Sequence, residues 1–112
     1  MIIIENKQRT QQRLGVPPSI LREFCQKHKI TELSVFGSIL REDFNLDSDI
    51  DLLVNFDPNA HISLMDVIKI ENKLKILLKR NIDLVSKKAI ENSKNWIRRQ
   101  NILNNAEIIY VQ

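Results

Sequence analysis

Chain breakers are scarce in this sequence of 112 residues, which has two glycines and three prolines. Each one therefore marks a particular turn or boundary rather than a flexible linker. They are Gly15, Gly37, Pro17, Pro18 and Pro58. A single cysteine, Cys25, excludes an internal disulfide and any cysteine-rich zinc site. Aromatic residues make up 5% of the chain, which leaves few stacking platforms for single-stranded nucleic acid. No apolar run approaches the roughly 20 residues of a membrane span. Met1-Ile2-Ile3-Ile4 is too short for a signal sequence and lacks its basic flank and cleavage site. A cytoplasmic protein without a membrane segment is the expectation.

What is present is ordinary globular material, with 43% hydrophobic and 28% charged residues, at a length that suits one domain. The net charge of +3 hides an uneven distribution. Residues 1–32 carry six basic and three acidic side chains, residues 33–60 one and six, and residues 61–112 ten and five. A nucleic-acid binder more often shows a basic stripe throughout. An acidic centre between basic flanks suits a metal cation with a polyphosphate, the plainer alternative being a solvated acidic loop.

Residues 1–16 are polar and weakly periodic, and read as a mobile arm or an added helix. Residues 17–112 then form one domain. Pro17-Pro18-Ser19 opens a helix with Ile20, Leu21, Phe24 and Cys25 at helical spacing. Leu33-Ser34-Val35-Phe36 is a short strand ending at Gly37. Ile50 to Phe56 is a second strand, with Asp51, Leu53 and Asn55 on one face and Ile50, Leu52, Val54 and Phe56 on the other. Ser63 caps a helix running to about Arg80. Ile82-Asp83-Leu84-Val85 is a third strand. Residues from about Ile90 to Ala106 read as mostly helical, with Trp96, Ile97, Ile102 and Leu103 as candidate core. Glu107 to Val111 suits either a last helical turn or an edge strand. The order predicts an α/β (α+β) fold, a small mixed sheet flanked by helices.

The chemistry concentrates between Phe36 and Val54. A strand ends in Gly37-Ser38, a turn with Arg41 follows, and after a polar loop Asp49-Ile50-Asp51 opens the next strand. Gly37 lets a phosphate approach the backbone, because it has no Cβ. Ser38 adds a hydroxyl, and Arg41 a guanidinium that can fork onto phosphate. Asp49 and Asp51, two apart on a strand, share a face and suit a hard cation. Magnesium takes a few carboxylates together with substrate phosphates and waters. Each piece alone is commonplace, but their conjunction is specific.

This segment resembles the signature of the DNA polymerase beta-like nucleotidyltransferase superfamily, and the short chain resembles its minimal nucleotidyltransferase (MNT) branch. The resemblance spans about residues 18–110. It implies transfer of a nucleoside monophosphate, here AMP from ATP, with one or two Mg²⁺ ions and release of pyrophosphate. It also implies that Gly37, Ser38 and Arg41 bind the nucleotide. Asp49, Asp51 and Asp83 are implied as catalytic metal ligands, with Asp83 also activating the acceptor hydroxyl. Ser48 matches a recurrent serine that orients Asp49 or caps the loop. Leu40 and Glu42 depart from the alanine and glycine that many relatives carry there, which places Glu42 and Asp43 either near the triphosphate or in solvent. The chain is too short for its own acceptor domain. The resemblance implies a helical HEPN-type toxin partner, whose tyrosine would take the AMP in an antitoxin reaction. A contact-only antitoxin with weak or absent catalysis is the alternative, and direct nucleic-acid binding ranks last. The oligomeric state is left open.

Other residues read more plainly. His28 is a helix-end cation, His61 a surface-loop residue and Cys25 core. Lys87 and Lys88 cap the third strand or reach phosphate. Trp96 packs, or lies exposed beside Arg98 and Arg99 as part of a protein interface. Tyr110 is core or stacks on a base.

Overall fold

Two apolar faces on one sheet organise the molecule. The computed structural model describes residues 4–112, with side chains from residue 9 onward, so the first three residues of the N-terminal arm lie outside it. The elements in chain order are α1 (Ile4–Leu14), α2 (Pro18–Lys27), β1 (Ile30–Phe36), a 3-10 turn (Gly37–Leu40), β2 (Ile50–Phe56), α3 (Leu64–Leu78), β3 (Ile82–Ser86), α4 (Lys87–Glu91), α5 (Trp96–Asn105) and β4 (Glu107–Val111). The strand order is β3-β2-β1-β4. β1 runs antiparallel to both β2 and β4, and β2 pairs parallel with β3. A parallel pair needs a long crossover, and α3 supplies it. The expected mixed sheet with flanking helices is the fold observed.

Local chemistry sets the ends of the elements. Pro18 occupies the first turn of α2, where a missing N–H removes no helical bond. Ser63 and Asp66 form a reciprocal cap on α3: Asp66 N–H donates to Ser63 Oγ at 3.1 Å, and Ser63 N–H donates to Asp66 Oδ2 at 3.0 Å. The Ser63 backbone N–H, and after it the Ser63 hydroxyl, hold the Asp66 carboxyl below its ordinary pKa. α3 stops at Leu78, short of Arg80, because Lys79 turns left-handed at φ 56°. Arg80 is thereby released toward the loop before β2.

The larger core lies on the sheet face covered by α2 and α3. Leu21 and Cys25 meet Leu33 and Val35 of β1, Ile50, Leu52 and Val54 of β2, and Ile70, Leu74 and Leu78 of α3. Cys25 is fully buried, and burial pushes its thiol up to about 12, so it is inert packing. Leu14 at the end of α1 joins this cluster. A smaller cluster on the other face joins Leu53 with Ile90 of α4 and Ile102 of α5. β2 thus divides its residues between two cores, as its alternation predicts.

Three sequence expectations resolve or change. The mostly helical stretch from about Ile90 to Ala106 resolves into the end of α4 and all of α5, parted at 92–95, where Asn95 restarts the chain as an N-cap, accepting from Arg98 N–H at 3.2 Å. Trp96 and Ile97 then fall in the first turn of α5 and are 57% exposed each, while Ile102 carries that helix's packing. Of the two readings for residues 107–111, the edge strand holds, paired with β1 through Leu33↔Tyr110 and Ser34↔Ile108. Among the described residues, no helix is long and apolar enough to cross a membrane.

Leu74→Ala should lower stability by about 2–5 kcal/mol, since its side chain is wholly buried in the larger core. Ile76→Ala, on the exposed side of the same helix, should change it by less than about 0.5 kcal/mol. Urea unfolding of the two variants checks the orientation of α3.

Candidate active site

The site begins where β1 ends. Gly37 turns the chain at φ +74°, in the left-handed region that disfavours side chains. Its position is also sterically closed, because a Cβ built there would lie 2.2 Å from Asp51 Oδ2. Backbone and carboxylate are therefore packed against each other, and only glycine allows the approach. Ser38 follows in the 3-10 turn, and its hydroxyl donates to the Asp49 carbonyl at 3.1 Å. That bond ties the turn to the residue that leads into β2.

The sheet register brings in the third carboxylate. Asp51 of β2 stands opposite Asp83 of β3 in the parallel pair, and opposite Phe36 of β1 on its other side. Asp49 lies just before β2, and both it and Asp83 are exposed, whereas Asp51 is half-buried. The Asp51 pKa is raised, first by burial, then by the Asp83 and Asp49 charges, with Arg41 opposing. Asp49, Asp51, Asp83 and Arg41, singled out from the sequence, thus share one electrostatic neighbourhood. Among the described residues no group of three or more His, Cys, Asp or Glu side chains closes into a metal cage. An open, acidic, all-oxygen donor set beside a glycine turn fits a cation that completes its shell from phosphate and water better than one needing a protein cage.

Two neighbouring clefts meet at these residues. The larger, about 610 Å³, has Asp51 and Asp83 on its floor and Asn95, Ile97, Arg98 and Asn101 of α5 and its cap as a wall. The smaller, about 420 Å³, has Gly37, Leu40 and Arg41 on one side and Asn101 and Asn105 on the other. Phe36, Asn101 and Ile102 belong to both. Sequence reasoning gave Ile97 and Ile102 to the core and Arg98 to a protein interface, and did not bring α5 to this site. The signal was there in Arg98, Asn101 and Asn105, spaced for one helical face.

The loop between Ser38 and Asp49 is held by arginines that sequence reasoning also missed. Arg13 of α1 donates to the carbonyls of Ile39 at 2.7 Å and Arg41 at 2.6 Å. Arg80 donates to the carbonyls of Asn45 at 2.6 Å and Ser48 at 2.7 Å. Both guanidinium groups lie over the Phe44 ring, at 5.0 and 4.4 Å from its centroid. Ser48 caps the loop, its Oγ accepting from Asn45 N–H at 3.0 Å. Glu42 pairs with Arg9 at 2.8 Å with its side chain 92% exposed, and Asp43 faces Arg41 Nε at 3.4 Å. Lys87 is bound to Glu32 at 3.0 Å rather than free for phosphate. His28 stacks on Phe24, and burial with Lys73 and Lys27 lowers its pKa. His61 is exposed in a left-handed turn. Tyr110 packs against the larger core and lines grooves that contain none of Asp49, Asp51 and Asp83.

Comparison with known proteins places these features in company. The family described as nucleotidyltransferase domain matches residues 18–109. Protein adenylyltransferase MntA of Thermococcus cleftensis is 35% identical over 92 residues, covering 80% of this chain and 83% of that protein. A toxin–antitoxin crystal structure with AMP-PNP shares the fold at TM-score 0.65 and 17% identity, over 87% of this chain and 75% of that one. A tri-AMPylated Shewanella oneidensis HEPN toxin in complex with MNT antitoxin also matches, at TM-score 0.59 and 17% identity, over 92% of this chain and 73% of that one.

Gly37→Ala should lower stability by about 1–3 kcal/mol in urea unfolding, from left-handed strain and the clash with Asp51. An unchanged midpoint would contradict the close approach. The raised Asp51 pKa has a sign that can be checked. The native state binds this proton more readily than the unfolded chain, so ionisation weakens the fold as pH rises above 3.8. Asp51→Asn should therefore melt no lower than the parent at pH 7, and its advantage should shrink as pH falls toward 3.8. A lower melting temperature at pH 7 would contradict the like-charge crowding.

Proposed function

The chain belongs to the nucleotidyltransferase domain family and is a nucleotidyltransferase, and from that premise we propose that it transfers AMP from ATP to a hydroxyl on a partner protein. The observation that carries the proposal is the Asp51 carboxylate packed against the Gly37 turn, paired across the sheet with Asp83 and within reach of the Asp49 charge. The neighbouring negative charges oppose the ionisation of Asp51. They suit a divalent cation brought by a nucleotide.

In this reading Asp49, Asp51 and Asp83 would hold Mg²⁺, which neutralises charge on the triphosphate and sharpens the electrophilic α-phosphorus. Gly37 admits the phosphates close to the backbone, Ser38 offers a hydroxyl, and Arg41 supplies a cation. Asp83, exposed on the cleft floor, takes the proton of the acceptor hydroxyl. The acceptor oxygen then bonds to the α-phosphorus, the bond from that phosphorus to the bridging oxygen breaks, and pyrophosphate leaves. The chain's contribution is positioning and charge compensation.

The name of the Thermococcus relative supports AMP as the transferred group. The Shewanella complex, an AMPylated HEPN toxin with an MNT antitoxin, supports the partner class and an antitoxin outcome; a tyrosine as the acceptor side chain is what the family resemblance of the sequence implies.

The test is incubation of the protein with Mg²⁺ and ATP labelled at the α-phosphate, together with a lysate of its host. A protein band should take the α-label and not a γ-label. Asp49→Asn, Asp51→Asn and Asp83→Asn should each cut labelling at least 100-fold while remaining folded, on the scale of lost transition-state contacts. Undiminished labelling by these variants would overturn the site. No labelling at all, with ATP and Mg²⁺ still raising the melting temperature, would support neutralisation by contact instead.

A further inference from the structure

Helix α1 lies upstream of residues 18–109, the stretch shared with the family. Yet it reaches into the turn that carries Gly37, Ser38 and Arg41. The Arg13 guanidinium bridges the carbonyls of Ile39 and Arg41. Arg9 donates to the Leu40 carbonyl at 3.2 Å and to the Glu42 carboxylate at 2.8 Å. Four consecutive residues, 39 to 42, thus hang acceptors on α1.

Those carbonyls need outside donors. Carbonyls at the end of a helical turn lack partners within it. Beyond the bonds internal to the 3-10 turn, Arg41 N–H donates to the Ser38 carbonyl at 2.9 Å, and a long contact of 3.5 Å reaches Arg41 O from Phe44. Charged donors from α1 supply stronger hydrogen bonds than the turn makes for itself. The helix is itself anchored: Leu14 and Thr10 are buried, and Thr10 Oγ1 contacts Glu107 Oε2 at 3.4 Å. Arg13 is also spent on two carbonyls and the Phe44 face, so its effect on a phosphate passes through the turn.

We propose that α1 is a built-in clasp of the nucleotide site, with Arg13 and Arg9 as positioning residues that hold residues 37–42 in the shape that meets the triphosphate. The clasp rests on the functional reading above for its consequence, though not for its existence.

Two measurements on the full chain separate these. Amide hydrogen exchange tests the clasp without any ligand. Arg13→Ala should speed exchange across residues 38–48 while the amides of β1 and β2 keep their rates, and unchanged exchange at 38–48 overturns the proposal. Equilibrium binding of labelled ATP with Mg²⁺ tests the consequence. Arg13→Ala should weaken it roughly tenfold, on the scale of a lost charge-assisted bond. Arg13→Lys, which keeps the charge and a donor nitrogen but lacks the guanidinium plane that lies over Phe44, should fall between. In the labelling assay KM for ATP should rise with kcat retained. Ile70→Ala, a variant of the larger core in the middle of α3 and away from Arg80, is the control for general destabilisation. Binding by Arg13→Ala within twofold of that control overturns the positioning role. If the parent protein itself fails to bind ATP, the functional reading falls, and the exchange result alone decides whether α1 clasps the turn.

Discussion

The contact between the Gly37 backbone and the Asp51 carboxylate is the constraint on which the site depends. It needs a residue with no Cβ, in a left-handed conformation, just past the end of a strand. It also needs β1 and β2 in the register that sets Phe36 opposite Asp51. Once that register is fixed, parallel pairing of β2 with β3 places Asp83 beside Asp51 without further choice. The three carboxylates are thus gathered by main-chain hydrogen bonding rather than by side-chain partners. Their mutual repulsion is a standing strain of the kind that collects at functional sites and is sustained by stability elsewhere. That stability lies on the opposite sheet face, where α2 and α3 cover the larger core.

This division of labour explains the unequal covering of the sheet. α2 and α3 bury most of the apolar residues of β1, β2 and β3. α4 and α5 cover the carboxylate face through a cluster of three buried residues, Leu53, Ile90 and Ile102. A lighter cover leaves space, and the two clefts occupy it. α5 carries both duties, with Ile102 turned into the small core and Asn101 lining the clefts beside it.

Much of this was legible in the sequence because the informative residues are close together in the chain. A strand, a glycine turn and an Asp-X-Asp pair sit within Phe36 to Val54, and strand periodicity says which aspartates share a face. Asp83 is farther away, and only the family resemblance pointed to it; the parallel pairing that brings it beside Asp51 is a finding of the structure. Arg13 and Arg80 were not legible, because their partners are backbone carbonyls, and a carbonyl leaves no mark in the sequence. Phe44, between the two arginines, looks like any loop aromatic until both guanidinium groups are seen over its ring. The first turn of α5 misled for a related reason. Trp96 and Ile97 are apolar enough for a core, but the cap at Asn95 starts the helix where that turn overhangs the cleft.

That overhang bears on what the acceptor must be, on the proposed reading. Asp49 and Asp83 are exposed, and so are Ile97, which lines the cleft, and its chain neighbour Trp96. An α-phosphorus held there would be open to water as well as to the intended hydroxyl. Excluding solvent from such a site strengthens its electrostatics and suppresses hydrolysis. This chain places one wall, α5, beside the carboxylates. A small acceptor would leave the rim wet, whereas a protein laid across Trp96 and Ile97 would bring its hydroxyl and the missing cover together. An exposed aromatic beside Arg98 has the composition of a protein-binding surface rather than of a closed small-molecule pocket.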